Sequence, residues 1–450
     1  MRKVRLHDTL TGELTELRPG DGRKVGIYAC GPTVYGRIHV GNARPYVVFS
    51  LLARFLAHEG YEPVLVANIT DINDKIYDAA RPAGRPSGEL AAEMTDHYIA
   101  DTDRLELGRP DHEPRATLMV GEIVELIAEL IERDHAYVAD GDVYFRVRSL
   151  PEYGALSHRD VDQMDQGEGI EGAERKEDPL DFALWKAQKP MEDTAWDSPW
   201  GRGRPGWHIE CSAMAEAVLG APLEIHGGGN DLIFPHHENE AAQTLAARGK
   251  PLAQIWMHNG MLQMGAEKMA KSVGNIRPLA EVLDEVGRDA LIWFFCEGHY
   301  RQPLAFTPER LKDAERRIAR IRDTGRRLVP GASPEALAAH RDAFFDALAD
   351  DYNTPRALAA LAEWINEANR ARSPIGDGHL REMLSVLGLD NLLERDEGPP
   401  AEVVELAERR AAARTNRDFA AADRLRDELR ARGWEVRDGP AGPELVPIGP

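Results

Sequence analysis

The sequence predicts an α/β protein: a Rossmann-like, parallel-sheet catalytic domain split by an insertion, followed by an all-α C-terminal helical bundle. Three observations carry this prediction. The β-branched and aromatic run "KVGIYA" (24–29), the helically spaced "ARPYVVFSLLARFLAHEG" (43–60) and the second run "EPVLVANIT" (62–70) make a βαβ unit. The same pattern returns far downstream at "LEIHGGGND" (223–231) and "PLAQIWMHNGML" (251–262), so one sheet is interrupted rather than ended. Beyond about residue 305, Ala, Leu, Arg and Glu dominate with helical periodicity, apart from a Pro/Gly-bearing link at 391–400.

Between the two α/β stretches the periodicity predicts helices near 87–104 and 114–134 and a strand at "GDVYFRV" (141–147). A region rich in Gly, Pro and charge follows, from 149 to 206. The expected organisation is a split catalytic domain (1–120 and 205–265) around a connecting insertion (121–204). A loop and stem-contact region (266–308), a helical bundle (309–395) and a basic helical region with a tail (396–450) complete it.

At 450 residues the chain needs no staples to bury a core. Its three cysteines, Cys30, Cys211 and Cys296, lie far apart, which argues against a disulfide framework and for a reducing, cytoplasmic setting. The start "MRKVRLHDTLTGEL" has no apolar stretch of signal-peptide length, and no run long enough to span a bilayer occurs anywhere, so a membrane partner is not expected. The formal charge of −21 speaks against a polyanionic partner for the protein as a whole. Locally the balance reverses: 309–327 carries eight basic against four acidic residues, and 409–432 has eight arginines. These are either basic contact faces or solvated helix faces laced with ion pairs.

Three stretches carry chemistry. "CGPTVYGRIHVGNAR" (30–44) places glycines and His39 where a strand gives way to a helix, so that "HVGN" stands at a helix N-terminus, where free N–H groups favour phosphate. Its spacing matches neither the dinucleotide fingerprint nor the phosphate loop. In "HGGGNDLIFPHHENE" (226–240), His236 and Glu240 are four apart and share a face of a helix starting near Pro235. With Cys30 and Cys211 they make a tetrahedral zinc set if the two thiols converge there; otherwise these are small buried residues and a solvated helix. His237 and Glu238 are expected beside the site or in solvent, and Cys296, inside "LIWFFCEGHY", in the core. "KMAKS" (268–272) puts two lysines on a Gly-flanked loop able to close over a triphosphate.

Taken together, "CGPTVYGRIHVGNAR", "DPLDFALWK" (178–186), "GRPGWHIECSAM" (203–214), "HGGGNDLIFPHHENE" and "KMAKSVGN" (268–275) resemble the cysteinyl-tRNA synthetases, a class I aminoacyl-tRNA synthetase family. "DYNTPRALAAL" (351–361) and "RDFAAADRLRDEL" (417–429) are similar to that family's helical C-terminal region. "HVGN" stands for the HIGH signature and "KMAKS" for KMSKS, with Asn42 and Ala270 departing from the pattern. The tail "DGPAGPELVPIGP" has no aromatic residue where the family's tail is expected to carry a tryptophan.

The resemblance implies ATP-dependent attachment of L-cysteine to tRNA(Cys) through a cysteinyl-adenylate. It implies one Zn²⁺ on Cys30, Cys211, His236 and Glu240, with Mg²⁺ accompanying ATP. His39, Lys268 and Lys271 are the expected catalytic residues. Thr33, His39, Gly41, Asn42, Gly229, Asp231 and Lys271 are expected at ATP or the adenylate, with Asp231 on the ribose. Cys30, Thr70 and Trp207 are expected at cysteine, with Asn68 to Thr70 close to the substrate amine or adenylate. A monomer is expected, with ATP, cysteine and tRNA as partners. The nearest alternative is a mycothiol-type ligase joining cysteine to glucosaminyl-inositol. A small acceptor, however, gives no use for the helical region after 310. A non-catalytic paralogue that only binds tRNA or zinc is weighed against by the intact His39, Lys268 and Lys271.

Overall fold

The computed structural model describes residues 2–20, 22–164, 174–264, 267–268, 276–394, 400–439 and 442–447. It divides into two units, Met1–Leu392 and Leu393–Pro450.

The first unit is built on a four-stranded parallel sheet: β1 (Lys24–Ala29), β2 (Glu62–Ala67), β3 (Leu223–Gly229) and β4 (Ala253–Asn259). Their order is β4-β3-β1-β2. β1 pairs with β2 on one side (Ile27 with Leu65) and with β3 on the other (Ile27 with Ile225). Buried on both faces, such strands read as continuous apolar runs, which is why β1 is legible from sequence. The chain leaves β1 toward β2 and returns on β1's other flank, so the carboxyl ends of β1 and β3 flank a topological switch point, the place where open α/β sheets bind ligands.

Helix α1 (Val40–His58) crosses from β1 to β2 and closes with Gly60 in the left-handed region (φ 90°). β2 stops at Ala67, short of the expected 70, because the backbone changes partners: Ile69 N–H donates to Pro114 O and Thr70 N–H to Pro32 O. Helix Ser87–Asp103 follows the expected span. The expected helix from 114 begins only at Val120 and runs to Glu132, after a 3₁₀ turn at Ala116–Leu118.

The stretch 149–206 holds two strands that its Gly and Pro content concealed. Ala136–Ala139, Asp142–Phe145, Phe182–Ala187 and Gly203–Pro205 form an antiparallel sheet. Its Phe145, Phe182 and Trp185 are buried in one core with Ile209 and Ala213 of α2 (Trp207–Leu219) and Ala246 of α3 (Glu238–Arg248). The insertion therefore buttresses the two helices that carry Cys211 and Glu240.

Helix Leu279–Cys296 is broken at Gly287 (φ 73°), and Cys296 is buried. Helices Pro308–Arg327, Ala338–Ala349, Thr354–Arg370 and Gly378–Val386 complete this unit. Several arginines of the first are taken by acids: Arg316 by Asp313, Arg326 by Asp323 and Arg322 by Asp289. Much of its basic run is thus an ion-paired helix face.

In the second unit, helices Ala401–Thr415 and Phe419–Ala431 pack Val403, Leu406 and Leu429 with Val436. The tail is not helical: Trp434–Gly439 pairs antiparallel with Gly442–Pro447. Arg430 and Arg432 pair with Glu435, Glu402 and Glu428. No described helix is long and apolar enough to cross a membrane.

Candidate active site

At the switch point a cleft of about 510 Å³ opens between the ends of β1 and β3. Its walls include Cys30, Thr33, His39, Gly41, Asn42, Trp207, Gly229 and Asp231, which the sequence analysis had assigned to substrate or nucleotide. Gly31 can be no other residue without displacing backbone: a Cβ there would fall 1.8 Å from the carbonyl oxygen of Asn68.

His39 is the N-cap of α1, and its Nδ1 accepts the N–H of Gly41 (3.1 Å). Asn42 reciprocates, its Oδ1 accepting the N–H of His39 (3.2 Å), which closes a capping box. With Nδ1 an acceptor, the neutral ring carries its proton on Nε2, leaving that edge as a donor.

Thr70 does not line the cleft. It is buried, and its backbone is bound to the segment that does: Val34 N–H donates to Thr70 O, and Thr70 N–H to Pro32 O. Asn68 ties the same layer together, accepting from Gly31 N–H (2.8 Å) and donating to Thr70 Oγ1 (3.2 Å). Lys268 lies in a two-residue strand, Glu267–Lys268, paired with Leu262–Met264. Lys271 and Ala270 lie outside the described residues.

Behind the cleft wall, at Cys30, the two thiols do converge. Ligand atoms of Cys30, Cys211, His236 and Glu240 all lie within 4.8 Å of one another. His236 Nε2 is 3.0 Å from Glu240 Oε1, and Cys30 Sγ is 3.5 Å from the same oxygen. The relation is not that of one regular helix: Ile233–His237 is a π-type turn after which α3 begins at Glu238.

A second, overlapping set meets the same condition: Cys30, His226, His237 and Glu240. Cys30 Sγ is 3.2 Å from His237 Nε2 and 3.6 Å from His226 Nε2, and His226 Nε2 is 3.1 Å from Glu240 Oε2. The outer nitrogens of both candidate histidines are held, His236 Nδ1 by His208 Nδ1 (2.8 Å) and His237 Nδ1 by His258 Nε2 (2.7 Å), which in turn meets Thr9.

His237 and Glu238 are not in solvent. Both are buried, and Glu238 accepts from the N–H groups of Gly154 (2.8 Å) and Ser157 (2.7 Å), clamping the insertion to α3. Sequence reasoning also passed over His226 and His258, which lie within neighbouring strands in "HGGGND" and "MHNG" and look like core positions there. The signal available was their shared place in the adjacent parallel strands β3 and β4, His226 in register with Trp256 and His258 with Gly228.

The electrostatics suit a divalent cation. Burial lowers His236 and His258 to about 3 and His237 well below its ordinary value, so all three imidazoles stay neutral and able to ligate. Burial pushes the Cys30 thiol well up; Cys211, helped by its hydrogen bond with Cys30 but opposed by burial and the Glu240 charge, is also raised. Glu240, despite burial, is held below the usual carboxylate range by His226 and His236. Its Oε2 makes no well-aligned hydrogen bond although fully buried. A buried carboxylate oxygen whose close polar neighbour, His226 Nε2 at 3.1 Å, is poorly aligned, set beside two thiols and neutral imidazoles, makes a donor set that zinc satisfies.

The fold and this cleft define a class I aminoacyl-tRNA synthetase. Residues 16–316 match the family described as tRNA synthetases class I (C) catalytic domain, 343–389 the DALR domain, and 396–442 the cysteinyl-tRNA ligase anticodon binding domain. The chain is 42% identical to the cysteine–tRNA ligase of Caldicellulosiruptor saccharolyticus, covering 99% of this chain and 100% of that one. It is 46% identical to the cysteine–tRNA ligase of Alkalilimnicola ehrlichii, over 98% of each. On these matches the chain belongs to the cysteine–tRNA ligase family and is an enzyme. Among solved structures, Mycobacterium tuberculosis methionyl-tRNA synthetase in complex with methionyl-adenylate superposes with a TM-score of 0.61 at 16% identity, over 82% of this chain and 89% of that one. That likeness is one of fold.

Proposed function

We propose that this enzyme attaches L-cysteine to tRNA in two steps in this cleft, through a cysteinyl-adenylate, and that it recognises cysteine by its thiolate at a zinc ion held by Cys30, Cys211, His236 and Glu240. The observation that carries the reading is the convergence of two thiols, a neutral imidazole and an under-satisfied carboxylate directly behind Cys30, the member of the set that lines the nucleotide cleft. Of the two overlapping sets, the one with both cysteines offers the softer donors, and softness favours zinc. His226 and His237 then stand beside it and steady Cys30 and Glu240.

Zinc held there supplies a soft partner for a substrate thiolate, which a serine hydroxyl cannot match. The remaining work belongs to side chains that position and neutralise. Trp207, stacked on His236 with centroids 4.2 Å apart, walls the amino-acid end. The cysteine carboxylate attacks the α-phosphate of Mg²⁺-bound ATP, and pyrophosphate leaves. His39, with Nε2–H as its donor edge, meets the phosphates at the N-terminus of α1 beside Gly41 and Asn42. Lys268 and Lys271 complete the neutralisation of the departing charge. Asp231 and Gly229 receive the ribose, and Thr33 faces the amine side, its segment held from behind by the buried Asn68–Thr70 layer. In the second step the cysteinyl group passes to the terminal ribose of tRNA. A site that rests on one polar contact discriminates without editing.

The similarity of residues 396–442 to an anticodon binding domain favours tRNA over an amino sugar as acceptor. A cytoplasmic, monomeric enzyme is part of the same reading. Cysteine-dependent ATP–pyrophosphate exchange, followed by charging of tRNA(Cys) in parallel with glucosaminyl-inositol, tests the proposal. Exchange with tRNA charging alone is the expected result; exchange with sugar coupling, or no exchange, overturns it.

A further inference from the structure

One cation on the cleft wall has no place in the chemistry described above. Lys75 is the second residue of the short helix Asp74–Ala80, its N–H held by the Asn73 side chain at 3.1 Å. The acid next to it is already taken: Asp74 is paired with Lys186 (2.9 Å) and with the buried Arg204. Lys75 has no ion-pair partner among the described residues. Its ammonium instead lies over two aromatic rings, 5.8 Å from the centroid of Tyr35 and 5.7 Å from that of Trp207. All three side chains line the cleft; Lys75 is exposed and the two rings are half-buried, which places the cluster at the mouth.

A solvent-facing cation between two flat rings suits neither small substrate well. The ammonium of free cysteine is repelled by it, and the phosphates of ATP find the N-terminus of α1 and His39. Unpaired RNA suits it on both counts, because bases stack on aromatic faces and the phosphates between them need an unneutralised cation. The established substrate must present such a strand here, since the aminoacyl group can reach the terminal ribose only if the unpaired 3′ end crosses this rim.

We propose that Tyr35 and Lys75 form the docking cradle for the unpaired 3′ end of tRNA, with Lys75 on a backbone phosphate and Tyr35 as the stacking face, while Trp207 holds Lys75 from the amino-acid side. This rests on the two-step reading above, and it assigns Tyr35 and Lys75 to the second step. Asp74, clamped by Arg204 and Lys186, fixes the backbone from which Lys75 projects.

The test uses the full-length enzyme and its Lys75→Met, Lys75→Arg and Tyr35→Ala variants. Cysteine-dependent pyrophosphate exchange reports the first step, and single-turnover transfer from preformed adenylate to tRNA reports the second. Lys75→Met and Tyr35→Ala should each slow transfer by about tenfold or more relative to exchange, with Lys75→Arg recovering most of the loss. Affinity for intact tRNA should fall in Lys75→Met, while affinity for tRNA trimmed of its unpaired 3′ nucleotides should match the wild type. Equal losses in exchange and transfer would assign Lys75 to the adenylate and overturn the proposal, as would unaltered transfer. Absence of exchange in the wild type would instead overturn the two-step reading itself.

Discussion

His39 and Asn42 cap the same helix end reciprocally: His39 Nδ1 accepts the Gly41 N–H while Asn42 Oδ1 accepts the His39 N–H. Where the related signature ends in histidine, this chain therefore keeps a side chain that holds the backbone of the first. Asn42→Ala should cost about 1 kcal/mol of stability, a typical loss for a helix cap. Denaturant unfolding measures this. His39→Asn retains a capping side chain but removes the Nε2–H donor. It should leave stability near wild type while adenylate formation falls about 10² or more. Equal effects of the two variants on both quantities would show that His39 serves only as a cap.

The overlap of two ligand sets makes a sharp metal prediction. Cys211→Ser should lose most of its zinc, because it removes a thiol found only in the first set. His237→Gln should keep about one zinc per chain. Metal analysis of the purified variants, with refolding checked by circular dichroism, decides between the sets. The reverse pattern would assign the ion to Cys30, His226, His237 and Glu240.

Much of this was legible in the sequence. β1, α1 and β2 announced themselves because a doubly covered parallel strand is a continuous apolar run, and because Gly60 marks where α1 stops. The pairing of His236 with Glu240 followed from their spacing, although a π-type turn rather than a regular helix delivers it. What escaped has a common cause. Phe182–Ala187 and Gly203–Pro205 are strands only by virtue of their neighbours in an antiparallel sheet, and Gly203 and Pro205 carry no local strand preference. His226 and His258 are neighbours of the site only because β3 and β4 run side by side. Lys75 meets Tyr35 and Trp207 from three distant parts of the chain, a juxtaposition no window of residues contains.

Acid stability should depend on Glu59, just past α1. Burial by itself would raise this carboxyl, but hydrogen bonds from His58, the Arg2 N–H and the Arg2 guanidinium outweigh it and hold it at about 2. A depressed carboxyl contributes stability that is present above its unfolded value of 4.5 and lost as pH falls toward 2. Thermal unfolding of wild type and Glu59→Gln should therefore differ most at neutral pH, draw together as pH falls below 4.5 and converge only below about pH 2. A difference that stays constant down to pH 2 would contradict this assignment.

Lys271 should matter in the transition state of the first step. Lys271→Ala should lower adenylate formation by about 10² or more with little change in cysteine affinity, since charge builds on the phosphates only as the bond breaks. Pre-steady-state adenylate formation measures the rate, and its cysteine dependence the affinity. A wild-type rate with weakened tRNA binding would make the loop an RNA contact instead.

The central claim is that cysteine is chosen by its thiolate at a metal held by Cys30, Cys211, His236 and Glu240. Cobalt in place of zinc makes that contact visible, because sulfur-to-cobalt charge-transfer absorption grows with each thiolate bound. On addition of cysteine to the cobalt-loaded enzyme this absorption should rise to a saturable limit, whereas serine at the same concentrations should leave it unchanged. A spectrum indifferent to cysteine, from an enzyme that still catalyses cysteine-dependent pyrophosphate exchange, would contradict the account.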